Sequence, residues 1–157
     1  MFLKLDGIKG ESGDSKHKDE IDIESWSWGL AQSGSSHLGG GGGSGKVSVH
    51  DLSFTHYVDK ASTNLVANCA NGKHIKNAVL VMRKAGEKPL EYFKMTLEDL
   101  IVSGVNYAGN QGGASRLLET VNLNFAKFQI DYQVQKADGS GAPGGDVKWD
   151  VKANAKF

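Results

Sequence analysis

Five histidines, two adjacent carboxylate pairs, a tandem of tryptophans and a run of glycines are the residues of this 157-residue chain whose types and spacing could do chemistry. His17, His37, His50, His56 and His74 invite a metal-site reading, but HExxH is absent and no two of them sit one turn apart on a helix face. His50 and His56 share a strand phase yet lie too far apart along it to chelate one ion unless the chain folds back. Surface or strand-face histidines are therefore expected. Asp19 with Glu20, and Glu98 with Asp99, are neighbours in sequence, and neighbours on a strand point to opposite faces, so neither pair can flank one scissile bond. No GxSxG nucleophile elbow is present. Trp26 and Trp28 share a face and could stack a sugar, but they continue an apolar phase and read as core packing. The glycine run 39–43 could cradle phosphate only ahead of a helix and a Lys-Ser/Thr pair. Here Lys46 is followed by Val47 and a strand pattern, which excludes nucleotide binding. No catalytic residue, cofactor or metal is expected.

With chemistry missing, the elements themselves become the subject. A chain of this length is one domain's worth and can bury a core unaided. Lys and Arg number 18, as do Asp and Glu, with no clustered basic stripe, so nucleic acid is not the expected partner. One cysteine, Cys69, leaves no intrachain disulfide and no use of an oxidising compartment. Residues 1–10 carry Lys4 and Asp6 within their apolar portion, too polar for a signal-peptide core or a membrane span. Cytoplasmic synthesis is expected, with any export using a machine that needs no cleaved leader. Twenty-one glycines and two prolines suit a β protein with long connections.

The organising stretch is residues 21–57: two apolar-alternating segments, 21–29 and 46–57, read as one antiparallel hairpin. Each slips phase once, between Ile23 and Trp26 and between Val49 and Leu52. An index sum of 75 satisfies four pairs at once, Ile21–Phe54, Ile23–Leu52, Trp26–Val49 and Trp28–Val47. The predicted result is a coiled hairpin turning a corner near residues 24–25 and 50–51, as in a small closed barrel. Between the segments lies a loop longer than the roughly 12–15 residues tolerated without function or disorder. A mobile tip that orders against a partner and plain disorder both fit it.

The remaining chain agrees with a barrel. Residues 2–8 read as a strand with Leu3 and Leu5 on one face, and 9–20 as a solvated connection. Residues 59–72 are the one credible helix, capped by Asp59 or Ser62, with Leu65, Val66 and Cys69 forming its narrow apolar face and Gly72 past its end. A structural thiol is expected at Cys69. Residues 78–82 read as a strand buried on both faces, and 90–105 as a strand kinked at Glu98 and Asp99. Residues 108–115 form a Gly-rich excursion. In 117–134 the apolar phase changes at Ala126 and Lys127, from Val121, Leu123 and Phe125 to Phe128, Ile130, Tyr132 and Val134. A flat sandwich strand would keep one phase. Residues 137–145 read as loop, and Val147, Trp149, Val151 and Ala153 as the closing strand. The fold class is mainly β: one antiparallel β-barrel domain over 1–157, with long coiled hairpins and one flanking helix.

Four blocks closely resemble the Hcp (haemolysin-coregulated) proteins of bacterial type VI secretion: KDEIDIESWSWG at 18–29, GKVSVHDLSFTHYVDKAS at 45–62, CANGKHIKNAVLVMRKAGEKPLEYF at 69–93 and VNLNFAKFQIDYQVQKADGS at 121–140. The resemblance implies a non-enzymatic tube subunit. Such subunits form homo-hexameric rings that stack into a tube, driven out by a contractile sheath under a VgrG spike, with small effector proteins held and chaperoned in the lumen. It also implies export by that machinery and no membrane insertion. It places a ring-stacking extended loop at Gly39, Gly40, Gly41, Gly42, Gly43, Ser44, Gly45 and Lys46. Two other classes remain open on the residues alone. One is a secreted β-barrel module binding carbohydrate through Trp26 and Trp28; the other is a metal-dependent hydrolase using the histidines with Asp51 or Asp59.

Overall fold

The computed structural model describes residues 1–32, 46–86, 89–109 and 116–157. Ten strands and one helix follow in chain order: β1 Phe2–Leu5, β2 Ile21–Asp22, β3 Ser25–Ser27, β4 Leu30–Ala31, β5 Ser48–Val49, β6 Leu52–Tyr57, α1 Ser62–Asn71, β7 Ile75–Lys84, β8 Leu90–Ala108, β9 Leu118–Gln135 and β10 Gly141–Asp150. Eight strands form one antiparallel sheet in the order β2-β1-β7-β8-β9-β6-β3, with β10 also on β9, and β4 pairs antiparallel with β5 in a separate two-stranded sheet. The terminal strands β2 and β3 are consecutive in sequence. The Ile23 N–H donates to Met1 O at 3.0 Å and the next N–H, that of Glu24, to Thr55 O at 2.9 Å. Adjacent residues thus bond to opposite ends of the sheet, and that bridge curls it into a barrel.

The hairpin register differs from the expected one. Ser25, Trp26 and Ser27 pair with Thr55, Phe54 and Ser53, and Leu30 with Val49, so partners add to 80 and 79 rather than 75. The reason is competition. β1 takes Ile21 and Asp22 as partners of Leu3 and Phe2, which leaves Ser25 as the first residue free for β6. Which residues face inward was right: Ile21, Ile23, Leu52 and Phe54 are all buried. The break at residues 50–51 exists, but it lies opposite residues 28–29, where His50 N–H donates to Gly29 O at 3.0 Å. The chain also leaves the ladder at 23–24, where it crosses from β1 to β6.

The second corner falls where the phase slips place it. On β8 the buried residues pass from Met95 and Leu97 to Leu100 and Val102, and on β9 from Leu123 and Phe125 to Phe128. On β7 they pass from Ile75 to Ala78 and Leu80. All three slips meet at one rung, since Glu98 pairs with both Asn77 and Lys127. Asp99, beside it, has φ 52°, a left-handed conformation that bends the strand. Beyond this corner β9 changes partner, from β6 along Leu118–Leu123 to β10 along Lys127–Gln135.

Several connections differ from expectation. Residues 9–20 are no solvated loop, because Ser12 and His17 are buried. Strand β10 starts at Gly141, inside the expected loop, and absorbs its glycines through a register shift between Pro143 and Gly145. It ends at Asp150; Val151 and Ala153 lie in turn structure. Helix α1 begins three residues later than expected, because Asp59 forms a turn just ahead of it. Asp59 Oδ1 accepts the Ala61 N–H at 2.8 Å, and Ser62 Oγ accepts the Asp59 N–H at 3.1 Å, so neither side chain caps the helix directly. Gly72 ends the helix with φ 63°, as its position required. Leu65 is buried and Cys69 packs half-buried on the core, whereas Val66 faces outward.

Candidate functional site

The two-stranded leaf β4–β5 stands apart from the main sheet and faces the β9–β10 ribbon. Between them opens a cleft of about 260 Å³. Trp28, Leu30, Val47 and Val49 form one wall; Phe128, Ile130, Val147 and Trp149 form the other. The walls exist because Phe128 and Ile130 are cross-strand partners of Trp149 and Val147, so four apolar side chains share one face of the ribbon. Trp28 fixes the base, its ring edge-on to Phe128 at 5.0 Å and its Nε1–H donating to His50 O at 3.0 Å. Trp149 Nε1 is buried without an acceptor among the described residues. Apolar exposure continues along the ribbon through Tyr132 and Val134, with Leu30 half exposed on the leaf. Such a surface has the chemistry of a protein contact rather than of a reaction.

Trp26 turns elsewhere, stacked on Phe93 at 5.6 Å and donating Nε1–H to Met82 Sδ at 3.1 Å. The tandem tryptophans are therefore not one sugar platform. Of the expected ring-stacking residues, Gly39, Gly40, Gly41, Gly42, Gly43, Ser44 and Gly45 lie outside the described residues. Lys46 is described, exposed, and lines a second cavity of about 280 Å³ with His50, His74, Asp99 and Lys152.

The histidines are dispersed. His17 lies between Glu20 and Glu91, His56 against Glu119, and His74 against Asp99, while His37 lies outside the described residues. Among the described residues, no three His, Cys, Asp or Glu side chains gather to hold a metal. Asp99 receives hydrogen bonds from His74 at 2.9 Å and Lys152 at 3.2 Å, which hold its carboxyl below the usual range. No helix among the described residues is long and apolar enough to cross a membrane.

Sequence reasoning missed the pair His56 and Glu119, fully buried, opposite each other on β6 and β9, with Nε2 and Oε1 2.7 Å apart. The signal was there: His56 keeps phase with Leu52 and Phe54, and Glu119 with Val121 and Leu123.

A curled antiparallel β-barrel with one flanking helix and an outward apolar cleft is the class of protein these observations define. Comparison with known proteins narrows it. The family model described as "Type VI secretion system effector, Hcp" matches residues 2–132. Protein hcp1 of Pseudomonas aeruginosa is 53% identical over 159 residues, spanning 99% of this chain and 97% of that protein. The crystal structure of Hcp1 from Salmonella typhimurium superposes with TM-score 0.80 at 46% identity, covering 99% of this chain and 97% of the other. A structure titled as a type six secretion system protein reaches TM-score 0.93 at 25% identity, covering 99% and 98%. The chain belongs to the Hcp family of type VI secretion proteins.

Proposed function

We propose that this protein is a non-enzymatic tube subunit, a single domain whose copies close into hexameric rings. Rings stack into a tube whose lumen carries and chaperones effector proteins. Its further partners are the VgrG spike and the sheath, and it leaves the cytoplasm through the secretion machine. The observation that carries the reading is the apolar surface running from the β4–β5 leaf along β9–β10, which no other element of the described chain covers. A head-to-tail contact that closes gives a ring, and an axial contact that does not close gives a filament. Balanced charge suits close packing of identical copies. The stretch Gly39–Lys46 is assigned the ring-stacking role.

Imaging tests this. Purified protein is expected to show annuli, and Val147→Glu, which puts a charge on the rim of the cleft, to abolish them while leaving the far-ultraviolet spectrum unchanged. Annuli that survive Val147→Glu would remove the cleft from the ring contact. A wild type without annuli would contradict the ring.

A further inference from the structure

Residues 9–20 form a strap that closes on itself. The Gly10 N–H donates to Asp19 O at 2.8 Å, Ser12 N–H to Glu20 O at 3.0 Å, and Asp19 N–H to Ser12 O at 3.0 Å. Gly10 permits this closure, since a Cβ there would overlap the Glu20 carbonyl. The strap is tied to the barrel by His17, which is 5% exposed and stacked on Phe2 of β1, ring centroids 4.2 Å apart and planes 7° apart. Its Nδ1 lies 2.8 Å from Glu20 Oε2 and its Nε2 3.2 Å from Glu91 Oε1 on β8.

Both ring nitrogens therefore face carboxylates, and an ionised carboxylate only accepts hydrogen bonds. A neutral imidazole has one N–H, so between two carboxylates it must set a lone pair against one of them. The imidazolium donates to both. The charged groups that meet the ring or its partners are Asp14 and Glu20 of the strap, Glu91 of β8 and Arg83 of β7. Asp14 Oδ1 accepts the His17 backbone N–H at 3.2 Å, and its carboxylate is ion-paired with Arg83, whose guanidinium lies 4.9 Å from the Phe2 centroid. Three carboxylates against one guanidinium favour a second cation in the cluster.

We propose that His17 is a proton-dependent clasp. Protonated, it binds the strap to β8; neutral, it keeps Glu20 and releases Glu91, the longer contact and the more exposed carboxylate, 40% against 16%. A chain that meets different acidities would thereby loosen or tighten this end of the barrel without unfolding it.

Amide exchange of residues 11–19, corrected for intrinsic rates, reads the clasp directly. In the wild type, protection is expected to fall between about pH 5 and pH 8, the interval in which an imidazole exchanges its proton, by up to about tenfold per pH unit because one proton is exchanged. Glu91→Gln, at a half-exposed position, is expected to keep its protection across that range, since an amide accepts from the protonated ring and donates to the neutral one. Wild-type protection that is equal at both pH values overturns the proposal. So does a Glu91→Gln protein whose protection falls in parallel with the wild type.

Discussion

The His56–Glu119 pair is fully buried in the barrel. With both side chains out of water, deleting one leaves its partner as an uncompensated buried charge or an unmet hydrogen-bonding group. Glu119→Ala is expected to destabilise the fold by about 3–5 kcal/mol in denaturant unfolding, and Glu119→Gln, which keeps an acceptor, by less. Nearby, Asp59 is pushed up by burial, against the pull of the Ala61 N–H. The folded chain then holds this proton more tightly than the unfolded chain. That contribution is complete at low pH and is lost as pH rises through the folded value. Asp59→Asn keeps the acceptor for Ala61 N–H, so it is expected to remove this slope from urea midpoints measured from pH 4 to pH 7. Asp14 works with opposite sign. Hydrogen bonds from Arg83 hold its carboxyl well below the usual range, so its contribution is lost as the solution becomes strongly acid.

At the scale of elements, the inward faces were legible where an alternating phase could be followed without knowing the partner. The slip at Ala126 and the kink at Asp99 were found separately in sequence and prove to be one corner on one rung. Asp99→Val tests that corner: a β-branched residue at φ 52° loses both the tolerance for that conformation and the contacts to His74 and Lys152. The expected loss is about 1–3 kcal/mol in thermal or urea unfolding, with Asp99→Asn losing less. Partnership was the illegible part. Ile21 satisfies its face equally well against β1 or β6, and only the closed barrel decides between them, so the expected register failed by five. Residues 141–145 failed for another reason. Gly141, Pro143, Gly144 and Gly145 are turn residues by type, and an edge ribbon with a bulge accepts them. Gly72, by contrast, was readable because one left-handed residue is all that a helix end demands. The apolar cleft was half visible. Its eight side chains were all marked as apolar positions, except Leu30, but nothing in one chain separates an outward apolar seam from core.

At the scale of the whole molecule, the barrel leaves an apolar ribbon facing outward while its titratable clusters are used to hold its own segments together. That division supports assembly over catalysis. The most direct measurement is the mass of the wild-type protein in dilute solution, by light scattering behind a sizing column at micromolar concentration. The account predicts a particle of six chains, six times 16.8 kDa, unchanged on moderate dilution. A protein that runs only as a 16.8 kDa monomer throughout that range would contradict it.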